Sequence, residues 1–188
     1  MTAPAPDDDA TLVARTLGGD RRAYGLVMAR HRLPLYRLIV AQTGDADDAA
    51  DLLQETFVAA HGALHRFDPA RSLRAWLSRI AINKCRDWRR RRYVRRLITG
   101  DFGSDDVARV PDDGQPLDAG VIERDRLART MRAIDALPVK LREPLLLCAV
   151  EGLSQMEAAE ALGTTAKAIE TRVRRAREAL RANLRDRY

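Results

Sequence analysis

Apolar residues in this chain recur every three or four positions, the period of a helix that buries one face. Ala49, Leu52, Leu53, Phe57, Ala60 and Leu64 fall on one such face and predict a helix over about 45–64. Leu73, Leu77, Ile80, Ala81, Cys85 and Trp88 predict another that starts near Ser72. Upstream, the stretch from Thr11 reads as two helices split at Gly18-Gly19-Asp20, with Pro34 a candidate kink in the second. Downstream, the pattern predicts a helix from about Val121 to Leu137, a turn at Pro138, a helix to about Val150, and two elements hinged at Gly163. No stretch shows convincing period-two alternation, so the expected fold class is all-α.

Residues 98–120, "ITGDFGSDDVARVPDDGQPLDAG", interrupt the period with two prolines and four glycines. That is the composition of a linker. The expected organisation is therefore a disordered tail over 1–9, a helical domain over 10–97, a flexible acidic linker over 98–120 and a second helical domain over 121–188. At 188 residues, two small domains are a natural division. The N-terminus has no basic segment followed by an apolar one, and no uncharged apolar run approaches membrane-spanning length, so a cytoplasmic protein is expected.

Charge changes the picture because it is sorted. The chain carries a formal +6, but residues 83–96 alone hold eight bases against one acid, and 167–188 hold eight against three. Residues 44–55 run the other way, with Asp45, Asp47, Asp48, Asp51 and Glu55 and no base. Two separate cationic surfaces suit a polyanion, and an acidic one suits a different partner. Cys85 and Cys148 are far apart in sequence and lack companion histidines at ligand spacing, which supports neither a disulfide framework nor a zinc site. They are expected as small buried hydrophobes.

The sharpest local signal is "GLSQMEAAEALGTTAKAIETRVRRAR" at 152–177. Ser154 and Glu157 make a capping box, Gly163 can supply a turn, and Thr164 or Thr165 can cap the next helix. Two helices joined in this way form a helix-turn-helix. Ile169, Val173, Ala176, Leu180 and Leu184 form the apolar stripe of the second helix, which leaves Lys167, Glu170, Thr171, Arg174 and Arg175 on the opposite face. Those side chains can reach base edges and phosphates in a major groove. A solvated helix pairing Arg with Glu is the plainer account, and the capped helix and turn before it favour DNA.

On the helix that begins near Ser72, Arg79, Asn83, Arg86 and Arg90 cluster roughly opposite Leu77, Ala81 and Trp88. Arginines on this face would bind phosphates, and Asn83 could both donate and accept at a base edge. Helix-end solubility and dipole complementation are the competing explanation. Of the nearby aromatics, Trp88 is expected in the core and Trp76 at its flank, while "RFDPARS" is a loop that could hold an extruded base. Asp48, Asp51 and Glu55 stack on one stripe with Gln54 beside them, an arrangement that repels itself unless a basic surface meets it. Partner docking ranks ahead of helix-end capping there, and both rank ahead of a metal site. An EF-hand is excluded by Ala50 where its glycine should stand, and no Glu-x-x-His pairing completes a di-metal set.

Taken together, "DADDAADLLQETF", "RFDPARSLRAWLSRIAINKCRDWRRRR", "ALPVKLREPLLL" and "EGLSQMEAAEALGTTAKAIETRVRRAR" resemble the extracytoplasmic-function (ECF) sigma factors of bacterial RNA polymerase. The resemblance covers about residues 10–97 and 121–184. It implies a two-domain initiation factor with no enzymatic activity and no cofactor. By position it implies that Asp48, Asp51, Gln54 and Glu55 dock on the clamp helices of the largest polymerase subunit. The helix with Arg79, Asn83, Arg86 and Arg90, together with Arg71 and Ser72 before it, would read and open the minus-ten element. Lys167, Glu170, Thr171, Arg174 and Arg175 would read the minus-thirty-five element, and the same domain would touch the second large subunit. An anti-sigma factor is the remaining implied partner. Glu170 stands where many relatives carry lysine, and a carboxylate there could accept from a cytosine amine. Pro144 also departs from the pattern, early in a helix. The rival readings are a one-component helix-turn-helix regulator, which needs no acidic helix paired with a second basic DNA face, and a carboxylate-metal nuclease, which needs a compact acid set with a basic catalytic partner.

Overall fold

The computed structural model describes residues 7–99 and 119–185. The described residues are helical, in the order α1 (Asp9–Leu17), α2 (Arg21–Thr43), α3 (Ala46–Ala63), a 3-10 turn (Leu64–Arg66), α4 (Leu73–Thr99), α5 (Ala119–Asp135), α6 (Val139–Ala149), α7 (Gln155–Leu162) and α8 (Ala166–Arg185). The linker expected over 98–120 falls mostly outside the described residues, and helix continues through Ile98 and Thr99 on one side and begins at Ala119 on the other.

Helix starts are set by side chains that satisfy orphan backbone donors. Asp8 accepts from the Thr11 N–H, Asp20 from Arg22, and Asp45 from both Asp47 and Asp48. The expected disordered tail is corrected at its end: Asp8 is the cap of α1, and Asp9 pairs with Arg30 at 2.6 Å and with the buried His31 at 3.0 Å. Asp9, within the expected tail, is thus tied to Arg30 and His31 of α2. Pro34 lies within α2 and Pro144 within α6, and both helices continue through them. Gly44 ends α2 with φ of 74°, a left-handed position that costs glycine little.

α1 to α4 close around one core, in which Leu12, Val27, Leu35, Ile39, Leu52, Phe57, Leu64, Leu77 and Ala81 are buried. The second core is not confined to the second half of the sequence. Leu145, Leu146, Leu147, Leu153, Ile169 and Val173 pack in one cluster with Leu38 and Ala41 of α2 and Ala75 and Ile82 of α4. α4 therefore has two buried faces, and the halves sit against each other through it.

The helix-turn-helix is α7 and α8. Ser154 accepts from the Glu157 N–H while the Glu157 carboxylate accepts from the Ser154 N–H, the two halves of a capping box. Gly163 turns the chain at φ of 63°, and Thr165 caps α8 by accepting from the Ala168 N–H. Ser154→Ala should cost about 1 kcal/mol, read as a fall in Tm of roughly 2–4 °C. An unchanged Tm would mean that the cap contributes nothing to the stability of this half.

Candidate polymerase and nucleic-acid interfaces

α3 presents its acidic stripe outward because Ala49, Leu52, Leu53 and Phe57 bury the other side. Asp51 and Gln54 are exposed, and Asp48 and Glu55 are half-buried. The last two already meet cations of the same chain: Glu55 accepts from Lys84 at 3.0 Å, and Asp48 lies 3.6 Å from Arg92. Part of the like-charge stacking is thus offset internally by α4. Val58, 68% exposed, stands one turn beyond Gln54 on the same stripe. Its place among buried neighbours hid it in the sequence.

On α8 the expected division holds. Ile169, Val173 and Ala176 are buried and Leu180 packs against their cluster, while Leu184 at the far end is exposed. Lys167, Glu170, Arg174 and Arg175 are exposed and Thr171 half-buried. Glu170 accepts from Lys167 at 2.9 Å, which holds its carboxyl below the usual carboxylate range. Arg174 reaches Glu178 at 2.9 Å, and Thr171 donates to the Lys167 carbonyl. These pairs are solvent-exposed and so worth little, which leaves the cations available to an incoming polyanion.

The α4 face is divided. Arg79, Asn83 and Arg90 are exposed, with Asn83 Oδ1 accepting from Arg86 at 3.3 Å and Arg90 reaching Asp87 at 3.1 Å. The other three candidates contact the second half of the chain. Arg86 donates to both oxygens of Glu143 (2.7 and 2.6 Å), Ser72 Oγ donates to Glu157 at 2.9 Å, and Arg71 stands 3.5 Å from Glu160. Sequence periodicity placed the arginine face opposite the core but could not show that Ala75, Ser78 and Ile82 of this helix are also buried. Arg74, absent from the sequence candidates, joins this seam by donating to Glu151 at 3.0 Å.

Burial tunes several of these groups. The Glu151 side chain is fully buried, and its desolvation raises its carboxyl above the usual range against the opposing pull of Arg74. Glu157 is held low, first by the Ser154 backbone N–H and then by the Ser154 and Ser72 hydroxyls, so the stabilisation it gives is present above the ordinary carboxylate range and fades as pH falls through its depressed value. Arg89 is pushed down to about 10, by burial first and then by Arg142 across the seam. Arg142 is lowered by burial, and its Nε has no hydrogen-bond partner among the described residues. Gln42, 1% exposed, leaves both side-chain atoms without such a partner. An orphaned buried polar group costs about 1–3 kcal/mol.

Trp88 packs on the first core, and the Arg92 guanidinium lies 5.2 Å from its ring centroid. Phe67 and Trp76 pack together with centroids 5.3 Å apart, so both ends of the "RFDPARS" loop are anchored near the core. Cys85 is buried, which pushes its thiol up to about 12, and Cys148 is half-buried. No helix among the described residues is long and apolar enough to cross a membrane, and none of their His, Cys, Asp and Glu side chains cluster as a metal site.

The comparisons with known proteins agree with this geometry. Residues 27–95 match sigma-70 region 2 and residues 127–180 match sigma-70 region 4. The chain is 40% identical to the RNA polymerase sigma factor CnrH of Cupriavidus metallidurans, over 95% of each protein. It is 30% identical to the ECF RNA polymerase sigma factor SigW of Bacillus subtilis, over 89% of this chain and 92% of that one. Among solved structures, CnrH in complex with the cytosolic domain of CnrY superposes with a TM-score of 0.72 and 36% identity, over 96% of this chain and 99% of that one. A capped helix-turn-helix, an outward acidic stripe and an arginine-rich helix thus occur in the order, and over the spans, of two sigma-70 regions: the chain belongs to the extracytoplasmic-function sigma factors of the sigma-70 family.

Proposed function

We propose that this chain directs RNA polymerase to a dedicated, stress-responsive set of promoters through three surfaces. Asp48, Asp51, Gln54 and Glu55 dock on the clamp of the largest core subunit. Arg71, Ser72, Arg79, Asn83, Arg86 and Arg90 bind and open the minus-ten element. Lys167, Glu170, Thr171, Arg174 and Arg175 read the minus-thirty-five element. The observation that carries the reading is the α8 array: the buried stripe of Ile169, Val173 and Ala176 leaves a cationic face outward directly after a capped helix and turn.

The work is binding and positioning, so the chain acts without a reaction or cofactor of its own and in the cytoplasm, where polymerase and DNA are. CnrH is solved with the cytosolic domain of CnrY, and by that likeness an anti-sigma factor holds this chain until a signal releases it. The division 10–97 and 121–188 assigns core and minus-ten binding to the first part and minus-thirty-five binding to the second.

In vitro transcription with purified core polymerase on random-promoter templates tests the function directly, with specific initiation expected only when the chain is added. Asn83→Ala should lower open-complex formation about tenfold, seen as lost permanganate reactivity of unpaired thymines, while initial promoter binding changes less, since one base-edge contact is worth about 1–3 kcal/mol. Equal loss of both steps would remove Asn83 from melting.

A further inference from the structure

Where the last turn of α2 meets α4 and the α5–α6 corner, cations outnumber the acids that hold them. Arg86 is taken up by both oxygens of Glu143, and Arg142 of α6 donates to the backbone and side chain of Asp135. Arg89 is half-buried within reach of the same groups and donates to the Gln42 carbonyl, yet it forms no ion pair among the described residues. Three guanidiniums therefore share two carboxylates. The Cys85 thiol beside them adds no negative charge, since burial pushes it up to about 12.

Buried donors are left over at the same place. Arg142 is 6% exposed, and its Nε meets no acceptor among the described residues. Gln42 follows Leu38 by one turn on the side of α2 that enters the second core, and its amide nitrogen and oxygen are both without a partner among those residues. Arg89 binds the backbone of this Gln42, while Asp135, which Arg142 holds, lies so close to Gly44 that a Cβ there would stand 3.7 Å from its Oδ2. The two orphaned side chains thus flank one site at the end of α2. A desolvated charge without a counter-charge costs far more than an orphaned amide. Water would satisfy the orphaned N–H groups and leave the excess charge, a cation would add to it, and a divalent oxyanion would overshoot it. A monovalent anion of halide size answers both the charge and the donors.

We propose that Arg89, Arg142 and Gln42 form a binding site for a small monovalent anion of chloride size at the junction of α2, α4 and α6. The Arg142 Nε–H, the Arg89 guanidinium and the Gln42 amide N–H donate to it, while Asp135 and Glu143 stay with the guanidiniums that already hold them. The site draws on residues far apart in sequence and exists only in the folded chain, so its ligand stabilises the fold in proportion to occupancy. None of the three residues is among the proposed polymerase or promoter contacts, and the inference stands independently of that reading.

The test is thermal unfolding of the full chain at fixed ionic strength, with sodium gluconate replaced stepwise by sodium bromide. Tm should rise along a saturating curve, by about 3–6 °C once bromide reaches roughly ten times its dissociation constant. Arg89→Gln keeps a donor for the Gln42 carbonyl but removes the excess charge, and it should lose most of that rise. Gln42→Leu keeps the cations and removes the amide, and it should weaken bromide about tenfold, the worth of one hydrogen bond to a charged group. Arg32→Gln, which removes an exposed cation of α2 away from the site, should respond as the parent does. Circular dichroism reports that each variant folds. Crystals grown in bromide should show an anomalous peak in contact with Arg142 Nε and Arg89. The proposal is overturned if the parent shows no saturating rise, if Arg89→Gln and Gln42→Leu respond as the parent does, or if a water or a direct Gln42–Arg142 hydrogen bond occupies the site in bromide.

Discussion

Alanine at Asp51 and Gln54 should weaken capture of core polymerase on the order of a hundredfold while leaving the fold unchanged. These two side chains lie exposed on the outer stripe of α3, one helical turn apart, and Val58 continues the stripe. Interface energy concentrates in a few central contacts, and loss of two such contacts accounts for a change of that size. Asp48 and Glu55 belong to the same surface, but they are tied to Arg92 and Lys84, so their removal would mix loss of docking with disturbance of the α3–α4 packing. Asp51 and Gln54 give the cleaner test. Surface-immobilised core polymerase titrated with each protein measures the effect, and a Tm within the range of ordinary surface substitutions shows that folding is intact. If α3 is the docking surface, the affinity of the parent should fall with rising salt, because exposed unlike charges would then meet there. Parent-like affinity in the double variant would remove α3 from the polymerase interface.

What the sequence disclosed was what is local. The capping box at Ser154 and Glu157, the turn at Gly163 and the α8 stripe from Ile169 to Leu180 are decided locally and stand as the pattern predicts, whereas Leu184 at the end of the predicted stripe is exposed. The acidic and basic stripes were legible for the same reason, since an apolar face fixes the face opposite. α4 marks where this logic stops. Its apolar positions look like one broad face, yet Leu77, Ala81 and Cys85 enter the first core whereas Ala75 and Ile82 enter the second. Periodicity tells that a residue is buried and not what buries it.

The carboxylates of the seam were illegible for a related reason. Glu157 reads as a capping residue, which it is, and nothing in its neighbourhood announces that its other oxygen accepts from Ser72, 85 positions away. Glu143 and Glu151 carry no sequence signal of their own, yet both are buried against arginines of α4. Ion pairs between distant segments depend on docking geometry, and docking leaves no trace at three- or four-residue spacing. The tail was misread in the same way: Asp9 is anchored by Arg30 and His31 from the next helix, and proximity in sequence does not reveal that. One consequence bears on function. The minus-ten candidates were grouped by face, and the structure splits them into Arg79, Asn83 and Arg90, open to solvent, and Arg71, Ser72 and Arg86, which meet the second half, Arg71 and Arg86 while still exposed.

Loss of both Arg174 and Arg175 should reduce binding to the upstream promoter element on the order of a hundredfold near 0.1 M salt and flatten its salt dependence. The two arginines are exposed and adjacent on α8, directly outward from Val173 and Ala176, and neither is needed to bury that stripe. Each phosphate contact contributes about 0.9 to the slope of log affinity against log salt, so the double variant should lose close to two. If one arginine instead grips a guanine edge, the slope should fall by about one, and discrimination against base changes at that position should drop by about 1–3 kcal/mol. Titration of labelled duplex promoter at several salt concentrations, against a panel of single-base changes, separates these outcomes. The competing account of this face, a solvated helix that pairs Arg with Glu, makes its own claim: Arg174 would serve only Glu178, 2.9 Å away, and its removal would leave both affinity and slope as they were. An exposed i, i+4 pair is worth only about 0.3–0.5 kcal/mol. It cannot account for two orders of magnitude in DNA affinity, so a loss of that size would assign the face to nucleic acid.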